Sequence, residues 1–162
     1  LGAMVGVTKE AIRLVEKYRV ALDHARAEAS KLTRRPRVYF EEWDEPMISG
    51  IRWVSELIQI AGGEDCFPEL AAQPLAKQRI IADPQPVIDR QPDIIIGSWC
   101  GKRFRPERVQ ARPGWHAIPA VRQGQIHEIK SAEILQPGPA ALTDGLNQLC
   151  RIIYAWAEET QP

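Results

Sequence analysis

The chain has 162 residues, 44% of them hydrophobic and 26% charged, with Lys and Arg numbering 21 and Asp and Glu also 21. Such a composition is globular and excludes a disordered or collagen-like chain, and a domain of this length buries about 70% of its unfolded surface without a disulfide. A zero charge balance gives no support for nucleic-acid binding, which rests on excess positive charge facing phosphates.

The start of the chain, Leu1 to Val7, lacks the basic region and apolar core of a secretory signal, and its uncovered Leu1, Met4 and Val5 suit a segment cut from within a longer protein. From Thr8, a suitable N-cap with Glu10 in the first turn, Ala11, Val15, Tyr18, Leu22, Ala25, Ala29 and Leu32 recur at spacings of three and four. That stripe predicts one helix of about 24 residues, a rod of ~36 Å. It is either a surface helix or a strut joining two lobes. Pro36 stops the run, and Arg37 to Glu41 reads as a short strand. Glu42 to Pro46 is expected to be a loop. Gly50 to Ala61 returns to helical period, closed by Gly62-Gly63. Cys66 to Lys77 reads as irregular, and a short helix around Pro86-Val87-Ile88 ends before Pro92.

Asp93 to Ser98 holds an unbroken β-branched run, which predicts a strand covered on both faces. A short helix over Glu107 to Ala111, a strand over Gln125 to Ile129 and a last helix after Pro137-Gly138-Pro139 complete the order. Alternating strands and helices predict an α/β fold, a Rossmann-like lobe with a parallel sheet of about four strands flanked by helices. Ligands of such sheets sit beyond the carboxyl ends of the strands. Three loops leave those ends, Glu42 to Met47, Trp99 to Phe104 and Lys130 to Pro139, and they carry an aromatic, apolar-leaning rim.

Other constellations carry weaker chemistry. Cys100 with His116 as base would make a thiol enzyme, but no strand-turn nucleophile motif accompanies them. Cys66, Cys100 and Cys150, like His24, His116 and His127, follow no metal-ligand spacing, so no metal site is predicted. The acids Glu41, Glu42, Asp44 and Glu45 read as a solvated loop or as one ligand-bonding carboxylate. The bases Lys102, Arg103, Arg105 and Arg108 read as exposed charge. Trp53 and Trp156 fall in helices as packing residues. Trp43, Trp99 and Trp115 lie in loops, where an indole covers a wide area at small entropic cost.

Arg37 to Pro46, Trp53 to Asp65, Pro92 to Ile96, Arg112 to Val121 and Leu135 to Pro139, in this order and spacing, resemble the carboxyl-terminal lobe of the cobalamin and iron-siderophore branch of ABC-importer substrate-binding proteins. The resemblance implies residues 1–33 as the interlobe helix and 34–162 as the second lobe, with the first lobe and its signal peptide outside this chain. It implies a periplasmic monomer that binds a metal-chelate ligand, has no catalytic residues and no cofactor, and hands its ligand to a permease in the inner membrane. The ligand-facing residues it implies are Trp43, Asp44, Pro46, Met47, Trp99, Cys100, Gly101, Leu135, Gln136 and Pro137. The Glu-Glu-Trp-Asp-Glu-Pro and Ser-Trp-Cys-Gly segments resemble cobalamin binders more than siderophore or haem binders. Two departures stand out. The acid that docks such lobes onto the permease falls near Gln85, with Asp83 and Asp89 beside it. The disulfide of the cobalamin relatives has Ala61 at its first position, leaving Cys66 as the candidate partner of Cys150.

Overall fold

The computed structural model describes residues 2–160, so Leu1 and residues 161–162 of the expected lobe lie outside the described residues. In chain order the elements are α1 (Thr8–Ala29), β1 (Arg37–Asp44), β2 (Met47–Ser49), α2 (Arg52–Ile60), β3 (Glu64–Asp65) and α3 (Pro68–Ala71). There follow β4 (Ile80–Ile81), α4 (Gln85–Arg90), β5 (Ile94–Gly97), α5 (Pro106–Gln110), α6 (Pro119–Arg122), β6 (Ile126–Glu128), α7 (Ser131–Ile134) and α8 (Leu146–Glu159).

The long first helix is present, capped by Val7 rather than Thr8 and without a side-chain cap bond. Its second half packs on the core, whereas in the first half Ala11 lies against the turn at Gly2. Ala25 is buried, and Leu22 and Leu32 pack on the core. Ile12, Val15 and Val20, nearer the start, are 63%, 49% and 59% exposed. The end of α1 rests against Gly62, which turns left-handed at φ 98° after α2. A Cβ there would lie 2.6 Å from Leu32 Cδ1, so glycine serves both the turn and the close approach.

The sheet order is β4-β2-β1-β5-β6, with β3 beside the start of β1. Strands β3, β1, β5 and β6 are parallel, the expected number. Two antiparallel strands are added, β2 on β1 and β4 on β2, making the sheet mixed. The expected loop from Glu42 to Pro46 is therefore corrected. β1 continues through Asp44, with a register shift between Glu41 and Trp43, and turns through a cis Glu45-Pro46 bond into β2. Acidic side chains do not interrupt this strand because cations meet them: Arg112 at Glu41, Arg79 at Glu42, Lys102 and Arg108 at Asp44.

Alternation along the strands divides the core between two faces. Val38, Phe40, Ile94 and Ile96 pack with Ile58 of α2 and with Leu149, Ile153 and Trp156 of α8. Tyr39 and Ile95 face the other way, onto Phe67, Val87, Val109, Trp115 and Ile118. All of β5 is buried, as a strand covered on both faces must be. Cys66 belongs to the Tyr39 face and Cys150 packs on the α8 face, so the sheet lies between them. All three cysteines are free, which corrects the Cys66–Cys150 pairing. The segment read as irregular holds α3 and a 3-10 turn at Ala76–Gln78, and a π turn at Ala141–Gly145 leads into α8.

Candidate functional site

The carboxyl ends of β1, β5 and β6 open on one edge, where Trp99, Gly101, Lys102 and Arg103 face Glu128, Lys130, Ser131 and Ala132 across a hollow of ≈370 Å³. Trp99 on its wall reaches back to a polar hub built on Glu41, itself 1% exposed. Tyr39 donates its hydroxyl hydrogen to Glu41 Oε2 at 2.9 Å, and the Trp99 indole N–H donates to Oε1 at 2.9 Å. Arg112 forks onto both oxygens at 2.6 and 3.0 Å. A buried carboxylate persists only when paired and hydrogen-bonded in this way. Burial drives the Tyr39 hydroxyl well above its ordinary pKa, and the adjoining Glu41 charge adds to the rise. Burial opposes charge on Arg112, but the Glu41 fork outweighs it and raises that pKa. The guanidinium lies 4.5 Å over the Trp115 ring, which meets Tyr39 edge-on at 6.0 Å.

Above the hub sits a cation clamp. The Lys102 ammonium lies 4.3 Å from the Trp43 ring centre and 5.1 Å from that of Trp99, and it pairs with Asp44. Arg108 approaches the other Asp44 oxygen at 3.2 Å and donates to Glu45 at 2.8 Å. The Asp44 side chain is 1% exposed, and its oxygens have these ion partners without aligned hydrogen bonds. Thus the loop after β5 is fastened across the sheet edge to the β1–β2 hairpin. Gly97, at the exit of β5, leaves room for this loop: a Cβ there would fall 1.9 Å from the Phe104 ring.

The structure brings Trp43, Asp44 and Trp99 together around Lys102, with Gly101 on the adjoining wall. Trp43 is half-buried and donates its indole N–H to the Glu45 carbonyl at 2.9 Å. Pro46 and Cys100 are exposed, and Met47 packs half-buried on the Tyr39 face. The open aromatic rim is corrected. Trp99, Trp115 and Phe104 are 3%, 0% and 4% exposed, because each ring finds a partner within the core: Glu41 for Trp99, Tyr39 for Trp115, Trp99 for Phe104. Leu135 is half-buried against the α8 face, while Gln136 and Pro137 are exposed. Pro137 lines a different hollow, an apolar groove of ≈540 Å³ with Tyr18, Leu22, Trp53, Leu57 and Leu142.

Several residues escaped the sequence reading. Glu41 and Arg112 form the hub, and Lys102 and Arg108 are ion-paired rather than free surface charge. The available signal was an acidic strand end followed, after the neighbouring strand, by a basic loop of opposite charge. Past the end of β4, Asp83 accepts from the Gln85 N–H at 2.9 Å, and the Gln85 side chain donates to Asp89 at 2.7 Å. All three are exposed. Among the described residues no hydrogen bond joins Cys100 to His116, and no group of three His, Cys, Asp or Glu side chains is placed to hold a metal ion.

Residues 1–133 match the family model described as periplasmic binding protein. No curated protein sequence matches the chain. Among solved structures, it is similar to a possible iron-binding (periplasmic solute-binding) protein from Staphylococcus epidermidis ATCC 12228, with 22% identity, a TM-score of 0.79, and coverage of 94% of this chain and 58% of that one. The periplasmic heme-binding protein RhuT from Roseiflexus sp. RS-1 shares 24% identity at a TM-score of 0.77, over 96% of this chain and 60% of its own. The periplasmic vitamin B12 binding protein BtuF of Vibrio cholerae shares 19% at 0.65, over 90% and 53%. The chain therefore spans little more than half of each of these proteins. With more than half of its residues matched by the family model, and with a fold shared with these structures over nearly all its length, the chain belongs to the periplasmic binding protein family.

Proposed function

We propose that this chain supplies half of the ligand clamp of an ABC-importer solute-binding protein, which captures a bulky metal chelate in the periplasm and delivers it to a permease in the inner membrane. The observation that carries the reading is the hollow at the carboxyl edge, walled by the Trp99–Arg103 loop and by Lys130 to Ala132 and flanked by Trp43. Its position is where parallel sheets bind ligands. Solved structures named for haem and for vitamin B12 share the fold, which supports a macrocyclic or chelated-metal ligand. Cobalamin is the first ligand to try, with haem and ferric siderophores next, because the Glu41 to Pro46 and Ser98 to Gly101 segments resemble the cobalamin branch.

Residues 1–33 are read as the interlobe helix and 34–162 as the second lobe. The exposed apolar start of α1 and the adjoining groove along Tyr18 and Leu22 support that division, since both are surfaces suited to a second lobe. Asp83 and Asp89, not the neutral Gln85, carry the charge that a permease arginine would meet. The working unit is a monomer. Titration of cyanocobalamin, haemin and a ferric siderophore into the protein, read by tryptophan fluorescence and calorimetry, tests the reading. One chelate is expected to bind and quench, and Trp43→Ala is expected to weaken it roughly tenfold, the value of about 1.4 kcal/mol of lost ring contact. Silence from all three chelates, or an unchanged affinity in Trp43→Ala, would sink this assignment.

A further inference from the structure

Three parts of the chain converge on one buried carboxylate: β1 through Tyr39, the exit of β5 through Trp99, and the segment after α5 through Arg112. Trp99 then touches the clamp, with the Lys102 ammonium 5.1 Å and Arg108 5.7 Å from its ring. We infer that Glu41 is a positioning residue: by fixing the Trp99 indole it sets where the Lys102 ammonium stands at the wall of the strand-end hollow. The inference rests on reading that hollow as the ligand site, and it assigns to Glu41 no contact with ligand.

The argument is geometric. An indole buried at a strand exit has its plane set by whatever holds its edge. Here one edge holds the N–H against Glu41 at 2.9 Å, and the ring meets Phe104 edge-on at 4.9 Å. Cation–π attraction acts over the ring face, so turning the indole removes it. Lys102 lies near the faces of both Trp43 and Trp99, and its ion partner Asp44 belongs to the same hairpin as Trp43. Release of the Trp99 edge therefore dismantles one side of the clamp and leaves the other in place. Glu41 also neutralises Arg112, so loss of its charge frees a half-buried guanidinium immediately under the same loop. No other side chain among the described residues joins the loop to both β1 and Arg112.

Glu41→Gln tests this in the whole chain. In the wild-type protein the Lys102 ε-methylene protons are expected to be shifted upfield by the two rings, with assignment from their loss in Lys102→Ala. Glu41→Gln is expected to move them part of the way back toward ordinary lysine positions, the Trp43 ring still acting on them, and to weaken the bound chelate at least fivefold. Ile153→Ala, a cavity variant in the core on the opposite face of the sheet from Tyr39 and Trp99, is expected to lower the melting temperature while leaving both readouts unchanged. Should Glu41→Gln fail to fold, Glu41→Asp keeps both rings and draws the acceptor back from the Trp99 N–H, and the same partial loss of the Lys102 shift is expected. An unmoved Lys102 shift in whichever variant folds, or an equal movement in Ile153→Ala, overturns the inference. If no chelate binds the wild-type protein, the function proposed above falls, while the Lys102 shift still decides the role of Glu41.

Discussion

Acidic side chains at a strand end become interior groups only if cations come to meet them, and here the meeting is between distant segments. Arg79 is the clearest instance. At 1% exposure it donates to Glu42 at 2.7 Å and to the Ser49 carbonyl at 3.2 Å, tying β1 and β2 to the approach of β4. Arg79→Met would leave those acceptors without a donor, although Glu42 retains some access to water. A loss of about 2–4 kcal/mol is expected in urea unfolding, and a loss below 1 kcal/mol would show the pair to be incidental. The thiols make a second prediction. Burial pushes Cys66 up to about 12 and also raises Cys150, whereas Cys100 is exposed. Since the thiolate is the reactive form, a chromogenic disulfide reagent should modify one thiol per chain quickly and the other two only on unfolding. Two fast thiols would contradict that burial. At this scale the sequence was least legible. Glu41, Asp44 and Lys102 carry no local sign of their partners, because those partners arrive from 58 to 71 residues away along the chain.

Secondary structure was read well wherever one period dominated. The Ile94 to Ile96 run and the stripes of α1 and α8 are long or apolar enough to override their surroundings. β2, β3 and β4 were missed because strands of two or three residues carry no period to detect. The loop after β5 depends on Gly97, whose missing Cβ admits the Phe104 ring. Gly97→Ala must displace that ring from Trp99, and we expect a loss of about 1–3 kcal/mol with a visible change in near-ultraviolet circular dichroism. Retention of both wild-type stability and the aromatic signal would refute this packing account. β6 offers a pH test. Burial lowers the His127 pKa below its ordinary 6.5, with the Glu159 charge opposing. Unfolding then takes up a proton at mildly acidic pH, so the stability this neutral imidazole preserves is present above pH 6.5 and is lost as pH falls through the folded-state value. His127→Gln should flatten that part of the stability profile. A profile of unaltered slope would place the acid sensitivity elsewhere.

For the molecule as a whole, the fold class followed from the alternation of elements, but the shape of the site did not. An aromatic rim was inferred from side chains at strand ends, and folding turned Trp99 and Phe104 inward, because an aromatic ring gains more from a buried acceptor or ring partner than from water. The long helix was legible as a rod, and its spacing left open whether it is a surface helix or a strut. A surface helix would bury one stripe along its full length; here Ala25 is buried and Leu22 and Leu32 pack on the core, while Val15 of the stripe and its neighbour Ile12 are exposed. If the open half awaits another lobe, nothing in this chain depends on it. Ile12→Lys with Val15→Lys should then leave stability within about 0.5 kcal/mol of wild type, while Leu22→Lys, which places a charge against the core, should cost about 1–3 kcal/mol. Sedimentation of the same proteins supplies an independent reading, since removing an exposed apolar stripe should also reduce self-association at high concentration. If the double lysine variant unfolds as readily as Leu22→Lys, the first half of α1 is already packed within this chain, and no lobe is needed to cover it.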